Sequence, residues 1–446
     1  MNFRSRFLGS GRRVPAKSDA AQVAIDPHAL RGSPDAISAA VANFLTRTGL
    51  FDRDAYVRTY PDIAKSGLDP LHHFVRVGIH GGRQFTSQQT VARLWREVLR
   101  AEGQQAPPPP AEPDHPERYR VAIYASSLGN FFMTEIAEVL KAGFEEAGIR
   151  VELRDENAVP RRDITHHIVV APHEFFVLGE GKRWANEEFV SRAILFATEQ
   201  IQTQWFARSL VFLLRAKAVA DMNGQNAAIL RKAGIRAAAI QPGYAASFAP
   251  FAPQAKLDDS PAFAGLSSAV RDYDTAHDRF ASRPLDVLFL GQNAPRREKL
   301  LAAYAGKFAG MNNFIYATRA AKPLAAAHNP MASSKVSAAL LQRAKILLNL
   351  HRDEYTYFEW WRLMQAFWHK SVVVTEPCFP HPVFKPGEHY FEEAPRHIPH
   401  LIAWLVRSPD GQTKAEEMRE RAFATLVDRA TAKDAALLLL RLADAS

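Results

Sequence analysis

The chain has 446 residues, of which 47% are hydrophobic and 10% aromatic, so it suits two or three globular domains with sizeable cores. Its one cysteine, Cys378, excludes an intramolecular disulfide framework and a multi-cysteine zinc site, and it indicates a reducing compartment. The net charge of +9 favours acidic partners such as nucleic acid, anionic lipid headgroups or a sugar-nucleotide diphosphate. No apolar run reaches the roughly 18–20 residues of a bilayer span, so we expect a soluble protein.

The first 118 residues divide into three parts. Residues 1–45 form a basic arm, and its first part lacks the continuous apolar stretch of a secretion signal. Residues 46–100 predict a small helical module. Residues 101–118 include four consecutive prolines, which favour extended polyproline II and therefore predict a semi-rigid linker.

From Tyr119 onward, short β-branched runs alternate with amphipathic helical stretches. Arg120–Ala125 predicts a strand, and Phe131–Ala147 predicts a helix that ends at Gly148. Apolar strands separated by helices imply parallel strands joined by crossovers, which is the pattern of a doubly wound sheet.

The alternation pauses and then restarts at Leu285–Leu290, a strand as strong as the first. We therefore predict an α/β protein with two doubly wound domains, residues 119–245 and 284–446, joined by an interdomain segment, residues 246–283. A closing helix over Thr413–Ala445 is expected to pack wherever its leucine-rich stripe finds cover.

In open parallel sheets, ligands bind beyond the carboxyl ends of the strands, so the residues after each strand are the first candidates for a site. After the first strand come Ser127, Gly129 and Asn130, in a loop that opens a helix. Small residues at a helix N-terminus allow an acceptor substrate or a phosphate group to approach the backbone. A capped helix N-terminus that binds no ligand is an equally good interpretation. The loop matches neither GxGxxG nor a P-loop, which disfavours dinucleotide and NTPase sites.

Three residues of the first domain are candidates for a general base. His173 and Glu174 follow one predicted strand, and Glu199 follows the next. His173 ranks first because neutral imidazole has a suitable pKa near neutrality. A structural role remains open for each of the three.

The second domain opens with a strand followed by Gly291, Arg296 and Arg297. Cations at a helix N-terminus oppose the helix macrodipole, and a bound diphosphate would offset that unfavourable interaction. The alternative is a solvated basic helix start.

The segment Leu348–Glu376 is the richest in polar residues close to a strand end. After its strand come His351, Arg352 and Glu354, and a helix that is apolar nearly all round follows. That helix carries a polar stripe. Because polar groups on a buried helix need hydrogen-bonding partners, the stripe must contact a ligand or other side chains of the protein. The stripe consists of Glu359, Arg362, Gln365 and His369. Either Glu354 or Glu359 would accept hydrogen bonds from donor hydroxyls; a Glu359–Arg362 pair with solvent is the alternative.

Lys385 lies farther along, in a loop shaped by two prolines and a glycine near the same sheet edge. No metal site is predicted. The chain has no HExxH motif, and neither Asp258-Asp259 nor the Asp272/Asp274 pair follows a strand.

Four stretches of the second half resemble the C-terminal domain of group-1-like GT-B glycosyltransferases, particularly the spore-maturation-type branch. They are RPLDVLFLGQNAPRRE (283–298), AKILLNLHRDEYTYFEWWRLMQAF (344–367), KSVVVTE (370–376) and FKPGEHYFEE (384–393). The resemblance implies two Rossmann-like domains and a nucleotide-sugar co-substrate used with no metal and no other cofactor. It places Arg296, Arg297 and Glu354 or Glu359 on the donor side of the cleft.

Leu50–Phe85, LFDRDAYVRTYPDIAKSGLDPLHHFVRVGIHGGRQF, resembles a short element attached to bacterial polysaccharide glycosyltransferases. The resemblance implies an accessory interaction module and favours a cell-surface glycan as the acceptor. Two short helices around Pro61-Asp62 are expected to cluster the aromatic side chains.

The sequence therefore predicts a cytoplasmic glycosyltransferase that moves a sugar to a glycan or protein acceptor, with peripheral contact at the inner membrane face as an option. A non-catalytic nucleotide- or glycan-binding protein is the alternative, because Glu354 and Glu359 are closer together than the glutamate pair of many group-1 members. Nucleic acid is not an expected partner, since basic and aromatic residues do not interleave in a recognisable motif.

Overall fold

The computed structural model describes residues 34–102, 110–254, 257, 263, 265–318, 331 and 333–444. Residues 1–33 of the predicted arm, residues 103–109 of the linker and Asp258-Asp259 lie outside the described residues. Within the described ranges, no helix is both long enough and apolar enough to cross a membrane.

The N-terminal region is helical, as predicted. Its helices are α1 (Pro34–Thr48), α2 (Arg53–Thr59), α3 (Pro61–Ser66), α4 (Pro70–His73) and α5 (Gln88–Glu102). The side chains of Asp52 and Asp69 cap α2 and α4, each accepting a backbone N–H at 2.9 Å. The predicted arm is wrong over residues 34–45, because apolar residues at helical spacing bury one face of α1. They are Ile37, Val41, Phe44 and Leu45.

The first domain contains a six-stranded parallel sheet in the order β2-β1-β3-β4-β5-β6. Its strands are β1 (Arg120–Tyr124), β2 (Arg150–Arg154), β3 (His166–Val170), β4 (Ala193–Ala197), β5 (Ala218–Asp221) and β6 (Ala237–Ala239). Its helices are α6 (Phe131–Glu146), α7 (Pro172–Phe175), α8 (Glu187–Val190), α9 (Gln204–Leu213) and α10 (Gly224–Lys232). All residues of β3, β4 and β5 are buried, which is why these strands are continuous apolar runs.

The second domain contains a five-stranded parallel sheet in the order β11-β10-β9-β7-β8. After α11 (Ser268–Arg271), its strands are β7 (Leu285–Gln292), β8 (Asn313–Thr318), β9 (Ala344–Asn349), β10 (Val372–Thr375) and β11 (Phe391–Glu392). Its helices are α12 (Pro295–Phe308), α13 (Ser334–Leu341), α14 (Trp360–Trp368), α15 (Ile398–Arg407), α16 (Pro409–Arg429) and α17 (Ala432–Asp444). The predicted fold class, two doubly wound domains after a small helical module, is confirmed.

Both sheets reverse their strand order at one point, between β1 and β3 in the first and between β7 and β9 in the second. A crevice opens at such a reversal beyond the carboxyl ends of the strands. The two carboxyl edges meet, because segments that follow strands contact each other across the domains. Tyr357, after β9, hydrogen-bonds Ile201 and Gln202, after β4, and His381, after β10, hydrogen-bonds Gln241, after β6.

The predicted closing helix over Thr413–Ala445 is wrong as a single element. It is two helices, α16 and α17, because Ala430 leaves the helical conformation with φ −145° and ψ 71°. The backbone around Ala430 instead pairs with Tyr244, and the hydroxyl of Thr431 caps α17. Helix α17 crosses back to the first domain and packs on α6, where a side chain at Gly143 would collide with the backbone of Ala432.

The helical module packs firmly on the rest of the molecule. Its core is continuous with the apolar core on one side of the first sheet. Trp95 of α5 also meets Tyr357 edge-on, with ring centroids 4.7 Å apart. The module therefore contacts both domains, and the loop after β9 lies against it.

A buried carboxyl group joins α6 to α14. Glu135 accepts hydrogen bonds from the indole of Trp361 at 2.9 Å and from the amide of Gln365 at 2.6 Å. Burial raises the pKa of Glu135 to about 7, although these hydrogen bonds oppose the shift. Gln365, predicted to face a ligand on the polar stripe, instead contacts the first domain.

We expect Glu135→Gln to remove a pH dependence of stability. A folded-state pKa above the ordinary value stabilises the fold below about pH 4.5, and this contribution disappears as the pH rises through about 7. Between pH 5 and 8, the free energy of unfolding of the variant should increase relative to that of the wild type, by at most about 3 kcal/mol. Urea unfolding of wild type and variant across this pH range tests the prediction. The control is Glu145→Gln, at an exposed position of the same helix. A pH-independent difference would contradict the prediction.

Candidate active site

The three predicted acid–base residues of the first domain lie together. The Nε2 atom of His173 is 3.3 Å from Oε1 of Glu199 and 3.9 Å from Oε1 of Glu174. They meet because β3 and β4 are neighbours and their following loops leave the same sheet edge. His173 and Glu174 are buried, whereas the side chain of Glu199 is 23% exposed.

The three groups have different protonation behaviour. Burial raises the pKa of Glu199 to about 7, the Glu174 carboxylate adds to the shift, and Arg352 of the second domain opposes it. Burial lowers the pKa of His173 to about 3, so this imidazole is neutral at physiological pH. Glu199 therefore combines access to solvent with titration near neutrality, and its Oε2 accepts a hydrogen bond from the hydroxyl of Thr203 at 3.3 Å.

The loop after β1 is fixed by two carboxylates. Glu174 accepts the backbone N–H of Asn130 at 3.0 Å and also its side-chain amide. Glu156 accepts the backbone N–H of Ser127 at 2.8 Å and its hydroxyl. A side chain at Gly129 would collide with Glu174. Because Glu174 already occupies the N-terminus of α6, the geometry favours a capped helix start over a phosphate site here.

Arg297, at the start of α12, is buried and held by the protein itself. Its guanidinium donates to the carbonyl of Leu350 at 2.8 Å and to that of Gln292 at 3.0 Å, and it lies 3.5 Å from Glu359. Gly291 leaves room for it, since a side chain there would come within 3.4 Å of the guanidinium. Arg297 thus joins the carboxyl ends of β7 and β9. These protein contacts leave little of its guanidinium available to a ligand.

Arg296 is paired in the same region. Its guanidinium makes a bidentate ion pair with Glu376 and donates to the carbonyl of His351 at 3.2 Å. Glu376 also accepts the backbone N–H of His351 at 2.7 Å. The two arginines near the helix N-terminus are therefore balanced by protein carboxylates and carbonyls.

Glu376 was missed in the sequence. It directly follows β10, so the search after strand ends that found His351 could also have found it.

Glu359 immediately precedes α14 and pairs within the second domain. It lies 3.2 Å from Arg362 and 3.7 Å from the Nδ1 atom of His351. Burial would raise the pKa of Glu359, but Arg362, His351 and Arg297 outweigh it and lower the pKa to about 2. The same carboxylate, with Cys378, outweighs the effect of burial on His351 and raises its pKa to about 10. This is the internal pair that the sequence left open as the alternative.

Two predicted donor-side cations remain accessible. Arg352 is exposed, and it is close enough to Glu199 of the first domain to lower the pKa of that carboxyl. Arg362 is 24% exposed and donates to Asn349 at the carboxyl end of β9, at 3.1 Å. A cationic side chain of the second domain thus influences the ionisation of the acid–base group of the first.

The remaining predicted residues lie at the edge of this arrangement. Glu354 is exposed, and its backbone carbonyl accepts the amide of Gln88 at 3.1 Å. The ammonium of Lys385 donates to the carbonyl of His381 at 3.3 Å, so its contact is with its own loop. In the part of the chain that the structure describes, no group of three or more His, Cys, Asp or Glu side chains is arranged to hold a metal ion.

No family model and no curated protein matches the chain. Several solved structures do. Anabaena HepE in complex with UDP-glucose is 9% identical with a TM-score of 0.46, over 72% of this chain and 98% of that chain. An alpha-glucosyltransferase in complex with UDP is 8% identical with a TM-score of 0.45, over 73% and 100%. An alpha-glucosyltransferase with UDP and a 13-mer DNA containing an HMU base is 8% identical with a TM-score of 0.44, over 73% and 99%. Values this low establish no residue correspondence.

Proposed function

We propose that this chain is a metal-independent GT-B glycosyltransferase that moves a hexose from a nucleoside-diphosphate sugar to a glycan or protein acceptor. Its setting is the synthesis of bacterial cell-surface polysaccharide in the cytoplasm, at the inner face of the membrane. One observation carries the proposal: the acid–base cluster, with Nε2 of His173 3.3 Å from Oε1 of Glu199, lies where the first domain meets the loop after β9. That loop carries the exposed Arg352, which lowers the pKa of Glu199 against the effect of burial.

On the donor side, Arg352 and Arg362 bind the diphosphate. Guanidinium forks match phosphate oxygens, and cations in place before the reaction stabilise the charge that develops on the leaving group. Arg296 and Arg297 do not need to touch the ligand. They fix the loops after β7, β9 and β10, because each is bonded to the backbone or the carboxylates of those loops.

On the acceptor side, Glu199 removes the proton from the acceptor hydroxyl. The resulting oxygen attacks the anomeric carbon, the bond from that carbon to the diphosphate oxygen breaks, and the nucleoside diphosphate leaves with the electron pair. A pKa of about 7 lets Glu199 take the proton and return it to water at neutral pH. His173 lies 3.3 Å from Glu199, and the hydroxyl of Thr203 donates a hydrogen bond to the same carboxylate.

The test is a panel of UDP- and GDP-sugars in a thermal-shift assay, followed by measurement of nucleoside diphosphate release with and without acceptor glycan. A ligand at about 100 times its Kd stabilises the fold by about 2.7 kcal/mol, which such an assay detects. We expect one donor to raise the Tm and to be turned over. Binding without hydrolysis or transfer would favour the non-catalytic alternative, and no binding across the panel would contradict both the transferase and a nucleotide-binding role.

Arg352→Gln is expected to weaken UDP-sugar affinity roughly tenfold to a hundredfold, the loss of one charge-assisted hydrogen bond. The Tm should stay unchanged because Arg352 is exposed. The pKa of Glu199 should rise, since Arg352 lowers it, so the pH–rate profile moves to higher pH. Isothermal titration and kcat/KM against pH measure both effects. Arg421→Gln, on the exposed side of α16, is the matched control, and unchanged affinity in Arg352→Gln would remove the phosphate role.

A further inference from the structure

A cavity of about 250 Å³ lies where the helical module meets the second domain, outside the groove described above. The module contributes eight of its nine lining residues, and Tyr355, in the loop after β9, is the ninth. Pockets for drug-sized ligands measure roughly 300–1,000 Å³, so this cavity suits something smaller, of the size of one sugar ring.

The docking of the module creates the cavity. The amide of Gln88 donates to the carbonyl of Glu354 at 3.1 Å, beside Tyr355. Trp95 anchors the same module to Phe379 of the second domain, with ring centroids 5.6 Å apart. Because Arg352 lies three residues before Tyr355, one short loop carries both a lining residue of the cavity and the cation that lowers the pKa of Glu199.

The lining has the chemistry of a saccharide site. Its polar side chains come mainly from amides and hydroxyls, which both donate and accept, as sugar hydroxyl groups do. They are Thr59, Gln84, Thr86, Ser87 and Gln88. Tyr355 adds an aromatic ring, and burial raises its pKa to about 12, so its hydroxyl remains a donor. Among the described residues that line the cavity, Arg58 brings the one formal charge, too little for a polyphosphate but suited to a hydroxyl or a uronate carboxylate.

We propose that this cavity binds one sugar unit of a glycan, and that the helical module is a saccharide-binding element. The further statement, that the glycan held here is the acceptor of the transfer reaction, rests on the proposed function. The binding of a saccharide in this cavity does not rest on the proposed function.

The experiment measures saccharide binding by the full chain in the absence of any nucleotide sugar. Cellotriose and trigalacturonate serve as neutral and acidic probes in isothermal titration and saturation-transfer NMR. The test variant combines Arg58→Ala with Gln84→Ala, two exposed lining residues. The matched control combines Arg100→Ala with Gln89→Ala, which are exposed on α5 and outside the lining.

We expect at least one probe to bind, the test variant to weaken it by roughly tenfold or more, and the control to bind as the wild type does. A preference for trigalacturonate that Arg58→Ala alone abolishes would assign a uronic acid. Failure of both probes to bind, or equal binding by the test variant, would overturn the proposal. Titration of the wild type with the panel of UDP- and GDP-sugars keeps the two proposals separate: saccharide binding without donor binding supports the cavity site and contradicts the transferase.

Discussion

Glu199→Gln is expected to reduce sugar transfer by roughly a hundredfold to ten-thousandfold, the usual contribution of a general base, while UDP-sugar affinity stays as in the wild type. The amide keeps the shape of the side chain but cannot accept the acceptor's proton. In the wild type the active form is the carboxylate. The value of kcat/KM should therefore rise with pH through about 7 and level off above it.

The same substitution separates catalysis from folding. Because burial disfavours the ionised form of Glu199, the variant should be at least as stable as the wild type at pH 8. Steady-state kinetics and thermal melts from pH 5 to 9 provide the measurement. Glu188→Gln, an exposed carboxyl group on α8, is the control for loss of a charge. A Glu199→Gln enzyme with wild-type kcat would exclude Glu199 as the base.

Arg297→Met is expected to lower the free energy of unfolding by about 3 kcal/mol, the lower end of the cost of breaking a buried ion pair. The carbonyls of Leu350 and Gln292 lose their donor, although Glu359 keeps Arg362 as a partner. Donor affinity should fall as well, because the loops after β7 and β9 are no longer joined.

Urea unfolding at pH 7 measures this loss, and Lys299→Met, on an exposed position of α12, controls for removal of a cation from the same helix. The stability readout distinguishes two roles for Arg297. If stability is unchanged and UDP-sugar affinity alone collapses, Arg297 touches the phosphates directly, as the sequence suggested. If both change, it positions the loops.

The fold could be predicted because its central strands, such as β3, β4 and β5, are buried on both sides and its helices are amphipathic. Both patterns can be read from residues that are close together in the sequence. The predicted strand Arg120–Ala125, for example, is β1, Arg120–Tyr124. The division of the closing helix could not be predicted. The backbone of Ala430 leaves the helix to pair with Tyr244, about 190 residues earlier, and sequence periodicity does not report such contacts.

The site was predictable to the extent that it depends on strand ends. His173 and Glu199 follow adjacent strands, so their meeting follows from the topology. The partners of each group depend on three-dimensional neighbours that spacing does not reveal. Glu376 satisfies Arg296, and Glu135 satisfies Gln365, from elements far apart in sequence. For that reason the sequence assigned to a ligand several contacts that the protein makes with itself.

The return of α17 to the first domain has a consequence for synthesis of the protein on the ribosome. Leu140 and Phe144 of α6 belong to a core that α17 completes with Leu439 and Leu440. The first domain leaves the ribosome roughly 200 residues before that cover is made. Its nascent form therefore exposes an apolar strip until α17 has been synthesised, and residues 119–245 expressed alone would keep that strip uncovered.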